Sequence, residues 1–316
     1  MAELPLVVIA DPIDATAVER LRSGPCRVVD ASRDPTRLAE HLAEAWGLIV
    51  RSRTKVTAAL LAQAPHLALV ARAGVGVDNI DMAATGARGI RVVNAPAAAT
   101  QSVAELTVLF ALLLVRGLHP LIVSTKAGRW ERGTHGAELA GRTVGFVGYG
   151  RTARHAARYL AALGARCVAY DPFVPRAVDA TEILSFPELL GRADIVSVHA
   201  ALTPENRHLL NAEAFGRMKR GSFLINVARG PLVDQTALVA ALNSGQLAGA
   251  ALDVFEEEPP MHRELLEHPH LIATPHLGAS TAEAQARAGS DTVEEVLRAL
   301  RGERLTSEVA LPGARP

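Results

Sequence analysis

The sequence predicts an α/β protein with two domains, each built on a parallel sheet. Short apolar runs alternate with longer helical patterns along nearly the whole chain, which is the β-α-β pattern of such sheets. The apolar runs are continuous rather than alternating, as expected for strands that are buried on both faces. A length of 316 residues suffices for two separate cores.

The first series of elements precedes residue 100. Its helical patterns include Ala15–Arg22, Pro35–Ala45 and Thr57–Ala64. The predicted strands between and around them are Leu6–Ala10, Arg27–Val29, Gly47–Val50, Leu67–Ala71 and Arg91–Val93. We assign residues 1–98 to this domain.

The second series begins at Thr143 and includes helical patterns at Arg154–Leu163 and Gln235–Asn243. Its predicted strands are Thr143–Val147, Arg166–Tyr170, Asp194–His199, Ser222–Asn226, Gly249–Val254 and Leu271–Ala273. Two long helical segments flank this series: 100–117 begins with Thr or Ser cap candidates, and 281–301 is a polar-faced helix rich in Ala and Glu. We expect the latter to cross back, so that residues 283–316 complete a discontinuous first domain and residues 99–282 form the second.

A glycine fingerprint opens the second series. Gly148 can turn the chain out of a strand, and Gly150 lets the backbone approach a pyrophosphate closely. The helix expected near Arg151 directs its N–H groups and its positive dipole end at that phosphate. Asp171 lies 21 residues beyond Gly150, at the end of an apolar run, where a carboxylate can accept hydrogen bonds from ribose hydroxyls. The pattern predicts a Rossmann-like dinucleotide site.

The same region favours NAD over NADP, because a carboxylate at Asp171 repels a 2′-phosphate. Arg176 follows a few residues later and leaves the NADP alternative open. Thr152 and Ala153 complete the fingerprint as Gly-Tyr-Gly-Arg-Thr-Ala. A strand–helix turn without a ligand remains the structural alternative.

Composition excludes several other classes of function. Lys and Arg together number 33, equal to Asp and Glu, so no basic surplus indicates a nucleic-acid partner. The longest apolar stretch, Leu106 to Val115, is too short to span a membrane. We find no signal peptide, and Cys26 and Cys167 have no metal or disulfide spacing. We therefore expect a cytoplasmic protein without a metal ion.

Three later segments each place a reactive residue just beyond a strand, where ligands of parallel sheets bind. Arg229 could hold a substrate carboxylate, and His276 could serve as a general acid and base. One carboxylate of the run Glu256 to Glu258 could orient that histidine. These residue types suit hydride transfer to a 2-oxo acid. Each residue could instead be an ordinary solvated loop residue, and spacing does not choose among the three glutamates.

The chain resembles the D-isomer-specific 2-hydroxyacid dehydrogenases, particularly their phosphoglycerate dehydrogenase branch. The similarity runs nearly end to end and includes the three strand-end segments and the motif Asp253-Val-Phe-Glu-Glu-Glu-Pro. Further matching segments are Val50–Thr57, Val70–Asp81, Val93–Pro96, Ser102–Thr107, Gly128–Arg132 and Glu138–Gly145. The resemblance implies two domains with Rossmann-like or flavodoxin-like parallel sheets, an NAD cofactor and a small 2-hydroxy or 2-oxo acid substrate.

The resemblance also implies roles for individual residues. Arg229, Glu258 and His276 fall on the family's catalytic positions, with Glu258 selected because it directly precedes the motif's proline. Substrate contacts are expected at Arg51, Arg72, Ala73, Gly74, Val75, Gly76 and Arg229. Cofactor contacts are expected at Gly148, Gly150, Arg151, Thr152, Asp171, Thr203, Val227, Asp253, His276 and Gly278. Asp253 is the residue expected to contact the nicotinamide carboxamide.

The resemblance leaves the substrate open. We favour 3-phosphoglycerate with 3-phosphohydroxypyruvate, as in serine biosynthesis, with Arg51 and Arg72 near the phosphate. Val75 stands where related chains often carry threonine, so hydroxypyruvate, glyoxylate or another 2-oxo acid is the alternative. An NAD(H)-sensing, corepressor-like binding protein is a third interpretation. We expect a homodimer that uses the helix at 100–117, and no regulatory domain appended to the catalytic core.

Overall fold

The computed structural model describes residues 3–133, 135–174, 179 and 181–310. The chain forms two compact units: unit 1 is Met1–Ala99 with Ala279–Pro316, and unit 2 is Thr100–Gly278. The strands are β1 Leu6–Ile9, β2 Arg27–Asp30, β3 Ala45–Val50, β4 Leu69–Arg72, β5 Arg91–Asn94, β6 Thr143–Val147, β7 Arg166–Tyr170, β8 Glu182–Ile183, β9 Ile195–Val198, β10 Ser222–Asn226, β11 Leu247–Leu252 and β12 Leu271–Ala273. The helices are α1 Ala15–Arg22, α2 Pro35–Leu42, α3 Ala58–Ala62, α4 Met82–Ala87, α5 Thr100–Val115, α6 Leu118–Lys126, α7 Arg151–Ala162, α8 Phe186–Arg192, α9 Ala212–Arg217, α10 Gln235–Asn243, α11 Arg263–Leu266 and α12 Ala282–Leu300. Two 3₁₀ turns cover Pro204–Asn206 and Gly230–Leu232.

Unit 1 contains a five-stranded parallel sheet in the order β2-β1-β3-β4-β5. This is the flavodoxin-like order. Successive residues of β1 enter different buried clusters, with Leu6 and Val8 in one and Val7 and Ile9 in the other. The sheet is therefore covered on both faces, which explains its continuous apolar strands.

The helices of unit 1 begin at polar caps. The Asp14 carboxylate accepts from the first N–H groups of α1, and Asp34 does the same for α2, which has proline at its first position. Thr281 caps α12 through the N–H of Ala284. Because α12 packs against α1 and β4, the C-terminal segment belongs to the core of unit 1, and that unit is discontinuous in sequence.

Unit 2 contains a seven-stranded parallel sheet in the order β12-β11-β10-β9-β6-β7-β8. Strand order reverses between β6 and β9, which pair in parallel from Val144 to Val147. This is the Rossmann arrangement, in which ligands bind beyond the carboxyl ends of the strands near the reversal. The glycine fingerprint follows β6 directly, and both fold-class predictions are confirmed.

Helix α5 packs against α7 and against β10 and β11 of unit 2. Its Leu106 and Phe110 are buried, whereas Leu109 on the same helix is half exposed. Among the described residues no single helix could cross a membrane; α5 and α6 reach that length and apolarity only as a pair, bent by 75°.

Several element ends differ from the predictions. The helix predicted at Pro35–Ala45 ends at Leu42, because Ala45 already begins β3, and the helix predicted from Arg154 begins at Arg151. Sequence patterns did not identify β8, α4, α6, α8, α9 or α11. Most of these are too short to show a period. Arg176 lies outside the described residues.

Candidate active site

The turn after β6 is shaped for close approach of a ligand. Gly148 has φ +87°, and a Cβ there would lie 2.6 Å from the backbone nitrogen of Ala200. A side chain at Gly150 would instead enter open space. Helix α7 begins at the next residue, Arg151, without a side-chain cap. A helix start that no side chain caps suits an anion, and Arg151 and Thr152 lie in its first turn.

Asp171 lies directly beside this turn. Its Oδ2 accepts from the N–H of Tyr149 at 2.8 Å, and its Oδ1 accepts from the N–H of Phe173 at 2.9 Å. Each carboxylate oxygen can accept a further hydrogen bond. The turn, the uncapped helix start and the anchored carboxylate together fit a dinucleotide with an unphosphorylated adenosine ribose.

The segment carrying Arg229 is organised by the residue that ends β10. Asn226 is fully buried. Its side chain donates to the carbonyl of Arg229 at 2.9 Å and accepts from the N–H of Ala228 at 3.0 Å. The Arg229 guanidinium donates to the carbonyl of Ala228 at 2.7 Å. This loop therefore holds a cation at the carboxyl end of the sheet.

Asp253 follows β11 and organises the loop that carries His276. Its side chain is buried and accepts from the Thr274 hydroxyl at 2.7 Å and from the N–H groups of Leu277 and Gly278 at 2.8 Å each. His276 also donates its own N–H to the carbonyl of Asp253 at 2.9 Å. The carboxylate thus fixes the backbone on both sides of the histidine.

The loops after β11 and β12 bring Glu258 and His276 together. Glu258 Oε2 lies 2.7 Å from Nδ1 of His276. The imidazole and the carboxylate side chains are 52% and 39% exposed, so Nε2 can reach a bound molecule. His276 has φ +50°, which is uncommon for a residue other than glycine and is often found at functional sites. The arrangement suits a general acid and base oriented by a carboxylate.

The remaining predicted cofactor residues lie at the same edge of the sheet. Thr203 follows β9 and starts the turn at 204–206, where its N–H donates to Asn206 Oδ1 at 2.7 Å. Val227 directly follows β10, and Gly278 is buried against Asp253. Every predicted cofactor residue therefore stands at the carboxyl end of a strand in unit 2.

The predicted substrate residues of unit 1 follow β3 and β4. Arg51 is held through its backbone: its N–H donates to the buried Asp11 at 2.7 Å and its carbonyl accepts from Asn79 at 2.9 Å. Burial would raise the pKa of Asp11, but hydrogen bonds from Thr54 and Arg51 and the charge of Arg53 outweigh it and lower that pKa. Asp11 therefore stays ionised as the anchor of the Arg51 loop.

The loop at 73–76 follows β4 closely. Ala95 donates its N–H to the Gly74 carbonyl at 2.9 Å, and the Asn94 side chain donates to the Val75 carbonyl at 2.5 Å. A Cβ at Gly74 would meet the guanidinium end of the Arg72 side chain, so glycine at this position leaves room for that cation. Val75 presents a side chain that is 41% exposed.

Sequence reasoning missed the residues that hold these loops, among them Asn226, Thr274 and Asp11. A polar residue directly at a strand end was the available signal for each of them. Over the ranges that the structure describes, no group of three or more His, Cys, Asp or Glu side chains could hold a metal ion.

Comparison with known proteins places these features in a family. Residues 108–278 match the family model of the D-isomer specific 2-hydroxyacid dehydrogenase NAD binding domain. D-3-phosphoglycerate dehydrogenase of Mycobacterium leprae is 45% identical over 98% of this chain and 60% of its own length. The human D-3-phosphoglycerate dehydrogenase is 41% identical over 98% of this chain and 59% of its own. The chain thus spans about 60% of these curated relatives.

Solved structures are similar to this chain over nearly its whole length and over nearly the whole of theirs. A protein from Thermus thermophilus is 34% identical, with a TM-score of 0.87 over 96% of this chain and 100% of its own. A glyoxylate reductase from Paecilomyes thermophila is 26% identical, with a TM-score of 0.88 over 98% and 99%. The chain belongs to the family of D-isomer specific 2-hydroxyacid dehydrogenases, with its NAD-binding domain in unit 2.

Proposed function

We propose that the protein is an NAD-dependent dehydrogenase that interconverts a D-2-hydroxy acid and its 2-oxo acid. The observation that carries this proposal is the 2.7 Å contact between Glu258 and His276. It lies at the same sheet edge as a turn and a carboxylate that fit a dinucleotide. The nicotinamide, when bound, supplies or accepts the hydride.

The chain's own residues supply the rest of the chemistry. Arg229 pairs with the substrate carboxylate, for which its guanidinium offers two parallel N–H donors. In the reducing direction, Nε2 of His276 donates a proton to the carbonyl oxygen while Glu258 stabilises the imidazolium from the opposite ring nitrogen. In the oxidising direction the same nitrogen accepts that proton. Asp253 maintains the loop geometry and remains our candidate partner for the cofactor carboxamide.

For the substrate we propose 3-phosphoglycerate and 3-phosphohydroxypyruvate. Relatives named D-3-phosphoglycerate dehydrogenase at 40–45% identity support this, as does the presence of Arg51 and Arg72, whose guanidinium groups suit a phosphate. The loop from Ala73 to Gly76 would contribute backbone N–H groups to the substrate. An apolar, exposed Val75 favours the second candidate, reduction of hydroxypyruvate or glyoxylate.

Steady-state oxidation of NADH with phosphohydroxypyruvate and hydroxypyruvate side by side tests the substrate. We expect a kcat/KM at least about tenfold higher for the phosphorylated acid, because one phosphate–guanidinium pair contributes on that scale. Equal values would favour the general reductase and leave Arg51 and Arg72 structural. No turnover of any 2-oxo acid, together with intact NADH binding, would favour the sensor interpretation.

The substitution His276→Ala tests the chemistry itself. We expect kcat to fall at least about a hundredfold, because general acid–base catalysis contributes on that scale. NADH affinity, measured by fluorescence, should change far less than kcat, since the dinucleotide turn is untouched. Undiminished turnover in this variant would refute the role of His276.

We also propose a cytoplasmic homodimer. The support is a set of apolar side chains exposed on or near α5 and α6, namely Leu109, Ile122, Val123 and Trp130, which are 49–77% exposed. Covering such side chains stabilises an assembly. Light scattering at micromolar concentration should report twice the monomer mass, and a monomeric mass would contradict the proposal.

A further inference from the structure

The three consecutive glutamates after β11 have three different environments. Glu258 contacts His276, as described above. Glu257 is exposed and forms no hydrogen bond or ion pair with any residue that the structure describes. Glu256 faces inward: its Oε2 lies 3.0 Å from Arg207 Nη2 and 2.8 Å from His208 Nε2. Its Oε1 accepts from the N–H of Gln235 at 3.3 Å, so both oxygens are engaged.

His208 connects this carboxylate to a second loop. Its ring contacts Glu256, which belongs to the segment that carries Glu258. Its backbone N–H donates at 2.8 Å to the carbonyl of Pro231, two residues after Arg229. His208 adopts φ +53°, a left-handed conformation that residues other than glycine seldom adopt. His208 therefore binds the loop of Glu256 through its side chain and the loop of Arg229 through its backbone.

The two loops also touch each other directly. A Cβ on Gly230 would collide with the backbone carbonyl group of Phe255, so the chain beside Arg229 lies flat against the chain beside Glu256. Phe255 in turn donates its N–H to Glu258 Oε1 at 3.2 Å. A shift of Glu256 would consequently move both the Arg229 loop and the carboxylate that orients His276.

We propose that His208 and Glu256 are positioning residues that hold Arg229 and Glu258 in a fixed relation for the reaction. This inference rests on the proposed function. Neither residue has to touch the substrate or the cofactor. Their effect is geometric, and displacements of about 1 Å in catalytic groups can lower rates about a hundredfold.

Glu256→Gln and His208→Gln are the test variants, and Glu257→Gln is the matched control. Glutamine at 256 keeps the shape of the side chain but replaces one acceptor oxygen with an amide donor, which then faces either Arg207 and His208 or the N–H of Gln235. In both test variants we expect kcat/KM for the 2-oxo acid to fall at least about tenfold with a raised KM. The Kd for NADH should stay within about twofold, and the control should match the wild type on both measures.

A merely structural role would act differently. It would lower the fraction of protein that binds NADH and leave the KM for the 2-oxo acid unchanged, and that result would overturn the proposal. Wild-type kinetics in both test variants, or an equal loss in Glu257→Gln, would overturn it as well.

Hydrogen exchange gives a readout that does not depend on turnover. Peptides covering 227–234 and 253–260 should exchange faster in Glu256→Gln and His208→Gln than in the wild type, and unchanged in Glu257→Gln. If the wild-type protein turns over no 2-oxo acid, the proposed function fails. The exchange data then decide alone whether the pair holds the two loops, and unchanged exchange refutes it.

Discussion

His199 should make unit 2 sensitive to acid. Its ring lies 2.9 Å from the buried Ser197 hydroxyl and 5.4 Å from the ring of Phe146. Burial lowers the pKa of His199 from its ordinary 6.5 to about 3. Between these values the unfolded chain binds a proton that the folded chain does not, so stability falls as pH drops below 6.5. At pH 5 the loss amounts to about 2 kcal/mol, since each pH unit is worth about 1.4 kcal/mol.

The substitution His199→Gln removes this titration and keeps a partner for Ser197. Urea unfolding at pH 7 and pH 5 gives the free energy of unfolding for both proteins. The unfolding transition of unit 2 is identified as the one that NADH shifts to a higher urea concentration at pH 7, because a bound ligand stabilises the unit that binds it. Between the two pH values the wild type should lose about 2 kcal/mol more than the variant; other groups titrate alike in both and cancel. Parallel pH dependences would show that the pKa of His199 is not lowered in the folded protein.

Three further predictions concern other residues of unit 2. Asp253→Asn should lower the free energy of unfolding by about 1–3 kcal/mol and reduce kcat, because an amide cannot accept all three hydrogen bonds of the His276 loop. Urea unfolding and turnover measure the two effects, and unchanged values would contradict the prediction. Asp171→Ala should raise the Kd for NADH at least about tenfold, because it removes hydrogen bonds to a carboxylate. The same Kd in variant and wild type, measured by fluorescence titration, would contradict a contact with the ribose. Burial raises the pKa of the Cys167 thiol to about 11, so iodoacetamide at pH 8 should label it far more slowly in the folded than in the unfolded protein. Equal labelling rates at Cys167 would contradict the raised pKa.

The elements that follow a local pattern could be predicted from the sequence. The strands at Thr143–Val147, Arg166–Tyr170 and Ser222–Asn226 agree residue for residue with the structure, because each is a continuous, largely apolar run that ends at a glycine or a polar residue. Asp171 could be predicted for the same reason, since its spacing from Gly150 reflects one helix and one strand.

The contacts that complete the site could not be predicted in this way. Asp11 binds the backbone of Arg51 across 40 positions, and Asn226 acts on the loop that follows it through its side chain. Spacing left Glu256, Glu257 and Glu258 equivalent, and only family resemblance selected one. What separates them is the direction of each side chain within a tight turn, which depends on three-dimensional packing rather than on any sequence period.

Tyr149, within the dinucleotide turn, illustrates the same limit. Its fully buried phenol donates to the Thr181 hydroxyl at 2.6 Å, across 32 positions. Its backbone N–H meanwhile donates to Asp171, so Tyr149 links the residue that precedes β8 to the dinucleotide turn. Tyr149→Phe and Thr181→Val should each lower the free energy of unfolding by about 1 kcal/mol, because each removes one hydroxyl of the pair and leaves the other buried hydroxyl without its partner. The double variant should lose less than the sum, with a coupling of about 1 kcal/mol in urea unfolding; strictly additive losses would show that the hydroxyl pair contributes nothing.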